Sequence, residues 1–237
     1  MDDKALPSIL HVDSSVRRTD NSTARYNSIS KGLAKGFIST WNTERPDDEV
    51  IYRDVGISPP DFMSEAWIAA AFTPESKRTS EQARALELSD LLIKEIRQAD
   101  IILISAPMYN YGLPAALKAW FDQVIRVNET FSFDLARGDF PLEPIMAKKT
   151  LVLVSSSGEF GFEPGGIREA MNHLGPHIKV MSKYLGVETF HEVRAEYQEF
   201  GDERHAQSVS NAKLALAQLA QGLAANHQDT LEISSAH

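Results

Sequence analysis

The chain has 237 residues, 43% of them apolar and 24% charged, enough to bury the core of one large or two small domains and too mixed to remain unfolded as a whole. Its 33 acidic residues outnumber 24 basic ones, and the net charge of −9, with no local basic stripe to offset it, argues against nucleic-acid backbones and anionic membrane surfaces as partners. The absence of cysteine excludes disulfide scaffolds, thiolate nucleophiles, zinc fingers and iron–sulfur clusters.

Residues 1–7 are acidic and carry no apolar stretch of the signal-peptide kind, which predicts a cytoplasmic protein, and no run approaches the ~18 apolar residues of a membrane span. Short, β-branched apolar runs at residues 9–12, 50–52, 101–104, 151–154 and 190–193 read as strands. The first, third and fourth are almost continuously apolar, the pattern of parallel strands covered by helices on both faces. Helical periods separate them at residues 22–41, 79–99, 115–127, 166–184 and 203–225. In the second, Thr79 and Gln82 form a capping box ahead of Ala85, Leu88, Leu92, Ile96 and Ala99. In the last, Ala212, Ala215, Leu216 and Leu219 mark the apolar stripe.

This alternation predicts a doubly wound α/β fold with a five-stranded parallel sheet in the order 2-1-3-4-5, held in one domain over residues 1–226 with a polar, frayed tail at 227–237. Two segments exceed that plan, residues 58–78 and 130–144; each is placed to cap either the sheet's own C-terminal edge or that of a second copy.

In an open sheet of this order, ligands bind at the carboxyl ends of strands one and three. Three segments meet there. The first carries Ser15 and then Asn21, Ser22 and Thr23 at the expected helix start, where free backbone amides and hydroxyls suit a phosphate, although Asn21 or Ser22 would equally serve as a plain cap. Arg17 and Arg18 add positive charge or are solvated. The second, Met108, Tyr109, Asn110 and Tyr111, offers ring faces and turn amides to a planar ligand. The third, Ser155, Ser156, Ser157 and Gly158, lets backbone approach a flat polar ring closely.

The run Pro107-Met108-Tyr109-Asn110-Tyr111-Gly112-Leu113-Pro114, followed by Leu117-Lys118-Ala119-Trp120-Phe121-Asp122 and Thr130-Phe131, resembles the FMN-dependent NADH-azoreductase and NADH:quinone oxidoreductase family over about residues 9–219. The resemblance implies a flavodoxin-like homodimer with one non-covalent FMN per subunit. It assigns Ser15 and Asn21 to Thr23 to the phosphate, Met108 to Tyr111 and Ser155 to Gly158 to the flavin ring, and Phe131 to the substrate space. Asn21-Ser22-Thr23 departs from the family's common Ser-x-Ser, and Ser156-Ser157 from its frequent Arg-Gly. The implied chemistry is ping-pong: NADH or NADPH delivers a hydride and leaves, then a quinone or azo compound takes two electrons. No side-chain nucleophile is needed, and no metal.

Other readings fit less well. A receiver domain needs an Asp at the end of strand three, where this chain has Ser105-Ala106-Pro107, and a serine hydrolase would carry a G-x-S-x-G elbow. His173 and His177 are separated by Gly175-Pro176, which breaks the helix that would align them on a metal. Neither dinucleotide fingerprint nor P-loop is present, so NADH would bind over the flavin. The remaining rival is a flavodoxin-type electron carrier, opposed by the two extra segments, which would enclose space above the ring.

Overall fold

A strand that is apolar at every position needs cover on both faces, and the computed structural model, which describes residues 8–235, supplies it. Residues 1–7 and the last two of the expected tail lie outside the described residues. In chain order the elements are β1 (Ser8–Asp13), α1 (Ile29–Glu44), β2 (Glu49–Asp54), α2 (Glu65–Ala71), α3 (Ser80–Gln98), β3 (Ile101–Pro107), α4 (Ala115–Val124), β4 (Phe131–Phe133), β5 (Leu142–Pro144), β6 (Lys149–Ser156), α5 (Gly175–Ser182), β7 (Val187–Ala195) and α6 (Glu203–Ser235). The parallel sheet runs β2-β1-β3-β6-β7, which for its five strands is the expected order. β4 and β5 form a separate antiparallel hairpin inside the 130–144 segment.

Alternate side chains of the central strands enter two cores. Leu10, Val12, Ile102, Ile104, Leu151 and Leu153 pack with Leu92, Ile96, Trp120, Phe121 and Ile178 from α3, α4 and α5. Ile9, Ile101, Leu103, Val152 and Val154 pack with Phe37 and Trp41 of α1 and Ala212, Leu216 and Ala220 of α6. Each buried Val, Leu, Ile or Phe among them stabilises the fold by about 1.5–3 kcal/mol relative to exposure, so the sheet is held from both sides. On α6 the stripe follows Ala212, Leu216, Ala220 and Ala224, while Ala215 is exposed. The helical backbone of α6 continues past residue 226, where a polar, frayed tail was expected.

Three helices differ from the sequence pattern at their ends. The first begins at Ile29 instead of residue 22: Thr23 makes no capping bond, whereas Ser28 Oγ accepts the Lys31 amide at 3.3 Å. The third stops at Val124 because the Arg126 amide turns to Thr130 Oγ1 (2.9 Å). The 166–184 period contains a 3₁₀ turn, Glu169–Met171, then α5 starting at Gly175 with Pro176 in its first turn, where a missing amide costs nothing. His173 and His177 are both exposed around that break. The expected capping box of α3 forms, with Thr79 and Gln82 each bonding the other's amide.

The 58–78 segment docks within the chain. Trp67 of α2 donates from Nε1 to Gln123 Oε1 (2.8 Å), and Gln123 Nε2 donates to the Asp61 carbonyl (2.8 Å). Among the described residues no helix is long and apolar enough to cross a membrane.

Candidate functional site

The carboxyl ends of β1 and β3 are joined before any ligand is considered. Ser14 donates to the Ser105 carbonyl from its amide (3.0 Å) and from Oγ (2.7 Å). Beneath this link, Asp13 is fully buried and accepts from Ser105 Oγ (2.6 Å) and Tyr52 OH (2.8 Å), with His11 Nε2 at 2.9 Å. Burial pushes the Asp13 carboxyl up, but the hydrogen bond and charge of His11, with Ser105 and Tyr52, outweigh it and hold the group below its ordinary value. The Asp13 carbonyl in turn accepts the amides of Val55 (2.8 Å) and Gly56 (3.3 Å). Gly56 lies so close to the next loop that a Cβ there would stand 2.1 Å from the Ser15 oxygen.

Above these strand ends runs a groove. One end is lined by Ser15, Arg17, Asn27, Ser28 and Ile29 and faces Pro107, Met108, Tyr109, Ser156, Gly158 and Gln198. The first amides of α1, at Ile29 and Ser30, precede any intrahelical acceptor and carry the positive end of the helix dipole. Arg17 adds a guanidinium with no acidic partner among the described residues, while Arg18 is tied to Asp20 at the surface.

Because the helix starts late, the expected cradle shifts. Ser15 is in place, but Ser22 and Thr23 are exposed and do not line the groove. Asn21 braces the approach, its amide donating to Asn27 Oδ1 (2.8 Å) and its Nδ2 to the Tyr26 carbonyl (3.2 Å). Ser28 and Asn27 occupy the positions those residues were expected to fill.

The other end opens into a cleft of ≈ 410 Å³ lined by Met108, Asn110, Tyr111, Ser157, Gly158, Glu159, Phe162 and Glu199. Tyr109 and Gly112 exchange both backbone bonds at 3.0 Å across a two-residue turn whose central residues, Asn110 and Tyr111, have φ of 47° and 66°. This left-handed pair matches the hairpin turns that favour Asn. Among the described residues the amides of Asn110, Tyr111, Gly158 and Glu159 have no acceptor, so a polar ring edge entering the cleft meets unpaired donors from both loops. Tyr111 OH donates to Glu159 Oε2 (3.0 Å), and Arg168 Nε pairs with Glu159 Oε1 (3.0 Å), bracing the two loops against each other.

Ser156, Ser157 and Gly158 therefore belong to the groove, whereas Ser155 turns behind it and donates to Glu192 Oε1 (3.3 Å). Phe131 does not line the cleft; it packs edge-on against Tyr184, 5.6 Å away. Sequence reasoning missed Asn27, Ser28, Glu159, Phe162, Gln198 and Glu199. Ser28 had a signal, a second cap residue just ahead of the Ile29, Leu33, Phe37, Trp41 stripe; the acidic residues had none. Among the described residues no group of three His, Asp or Glu could hold a metal ion.

Comparison with known proteins bears on this geometry. Residues 8–220 match a family model described as flavodoxin-like fold. FMN-dependent NADH:quinone oxidoreductase 2 of Colwellia psychrerythraea is 62% identical over 215 residues, covering 91% of this chain and 98% of that one. The protein of the same name from Idiomarina loihiensis is 58% identical over 226 residues, covering 95% and 94%. An FMN-dependent NADH-azoreductase from Bacillus anthracis, solved with FMN, superposes with a TM-score of 0.78 over 92% of this chain and 100% of its own, at 17% identity, a likeness of fold. A shared flavodoxin-like fold, a groove at its switch point and 62% identity across almost the whole chain place this protein in the FMN-dependent NADH:quinone oxidoreductase family.

Proposed function

We propose that the chain is an FMN-dependent oxidoreductase that passes two electrons from NADH or NADPH to quinones and azo compounds, with FMN held non-covalently along the groove. The observation that carries this reading is the groove's polarity: a cation and a helix start at one end, and unpaired loop amides beside a two-residue turn at the other. That donor set fits FMN, with one phosphate, a chain of hydroxyls and a flat ring edge rich in acceptors. When bound, FMN supplies an N5 atom that takes a hydride and a ring that returns two electrons, which is why no nucleophile or acid–base pair is required.

Each part of the chain then has a definite task. Arg17, Ser15 and the start of α1 hold the phosphate. The backbones of Met108–Tyr111 and Ser156–Gly158 orient the ring, and Tyr111 and Phe162, 6.3 Å apart, wall one side of the cleft against water. Asn21 and Ser155 support these parts from outside, and the exposed Ser22 and Thr23 take no part in the groove. We assign Phe131 to the substrate space of a homodimer, where a second copy would bring it near the partner's ring. A donor that exists inside cells suits a cytoplasmic location.

Heat-released flavin identified by chromatography should be FMN, and the yellow protein should be reduced by NADH and reoxidised catalytically by a quinone. Colourless protein that cannot be reconstituted with FMN overturns the reading. Stoichiometric reduction without quinone turnover would instead mark an electron carrier, a reading disfavoured by the relatives' names as oxidoreductases.

A further inference from the structure

We infer that Glu199 is a specificity-determining residue that makes the cleft select neutral electron acceptors over anionic ones. This rests on the proposed oxidoreductase reading. After β7 the chain folds back through Tyr197 and Gly201, both at positive φ (66° and 60°), and is strapped to the ring loop by three backbone bonds. These run from the Tyr197 amide to the Glu159 carbonyl (3.2 Å), from the Gln198 amide to the Ser157 carbonyl (3.2 Å) and from the Glu199 amide to the Gly158 carbonyl (3.0 Å). The strap lays the Glu199 side chain over Gly158, where an added Cβ would meet Oε1 at 2.6 Å. The glycine thus leaves room for a carboxylate at the wall of the cleft.

That carboxylate is not neutralised. Among the described residues it has no hydrogen-bond or ion-pair partner, unlike Glu159, which is paired with Arg168, and Glu196, which accepts the amides of Gly161 and Phe162. It is within electrostatic reach of the site: the Tyr111 phenol is pushed up, chiefly by its hydrogen bond to Glu159, while Arg168, the partner of Glu159, opposes the rise and Glu199 adds a smaller push upward. No Lys or Arg lines the cleft, and the groove's cation, Arg17, belongs to the opposite end. Glu199 is exposed, and one unpaired negative charge at the rim of the cleft repels a sulfonate or carboxylate carried by an acceptor while being indifferent to an uncharged quinone, so discrimination comes from a repulsion that salt screens.

The test uses the oxidised holoprotein and an isosteric, unreactive pair, 2-naphthalenesulfonate and 2-naphthalenesulfonamide, titrated by their perturbation of the flavin spectrum. Steady-state rates with 1,2-naphthoquinone and its 4-sulfonate follow. In the wild type the neutral member should be favoured in both pairs. Glu199→Gln, which keeps the shape and removes the charge, should raise the anionic-to-neutral ratio about three- to tenfold, Glu199→Lys should raise it further, and added salt should narrow the wild-type gap. Comparing ratios between variants cancels the sulfonate's own effect on quinone potential. Turnover of both quinones with the same ratio in all three proteins overturns the role of Glu199 alone; a holoprotein that reduces neither quinone overturns the oxidoreductase reading together with it.

Discussion

A methyl group on Gly56 would stand 2.1 Å from the Ser15 oxygen, inside any non-bonded contact distance, and the atom it meets is backbone that cannot swing aside. Gly56→Ala must therefore displace the Ser14-Ser15 loop. We expect a stability loss of about 1–3 kcal/mol, read by denaturant unfolding, and an FMN affinity lowered by about tenfold or more, read by quenching of flavin fluorescence, since a small misplacement of a binding loop is costly. Asp13 is a second test. Its carboxyl is depressed in the folded protein, so its stabilisation is fully present above the unfolded value of ~4 and is lost as pH falls through the folded one. Asp13→Asn should destabilise the protein by about 2–4 kcal/mol at neutral pH and flatten the acid limb of the stability–pH profile; an unchanged limb would show that another carboxylate controls it. At this scale Ser15, Met108 and Gly158 were legible in the sequence because each sits within two residues of the end of a strand marked by its apolar run. Glu199 was not, because its position depends on how β7 pairs with β6 and where the chain then turns.

Helix starts explain most of the difference between pattern and structure. Residues 21–28 offer Asn21, Ser22, Thr23 and Ser28 as caps, and only packing decides among them: Ser28 wins because Ile29, Leu33 and Phe37 then fall into or against the α1–α6 core. The α3 start was legible since Thr79 and Gln82 form a reciprocal pair that the neighbouring Ser80, with Ala83 three residues on, cannot match. These two caps make a matched experiment. Thr79→Ala and Ser28→Ala should each cost about 1 kcal/mol in unfolding free energy, but only Ser28→Ala should weaken FMN binding, because only the α1 start faces the groove. Equal FMN affinity in the two variants would remove the α1 start from the phosphate site.

At the scale of the molecule the central strands were readable from the almost continuously apolar runs at residues 9–12, 101–104 and 151–154, and the order from five strands alternating with helices. What the sequence did not decide was where the two extra segments go. The structure seats 58–78 against α3 and α4 and raises 130–144 as a hairpin, leaving Leu135 and Phe140 at 74% and 83% exposure. In the proposed homodimer this hairpin meets the second copy. Sedimentation should then give twice the 26.3 kDa chain mass, and Leu135→Asp with Phe140→Asp should shift the protein toward monomer; a wild type that is monomeric and fully active at micromolar concentration excludes the dimer.

The sheet order also sets a timetable for synthesis. Ile9 of β1 pairs on one side with Val50 and on the other with Ile101. At a translation rate of about 5–20 residues per second, the second neighbour emerges about 3–10 s after the first. For that interval the nascent chain leaves unpaired one edge of a strand that ends up wholly buried, and this is when a neighbouring polypeptide on the same message can most readily pair with it instead.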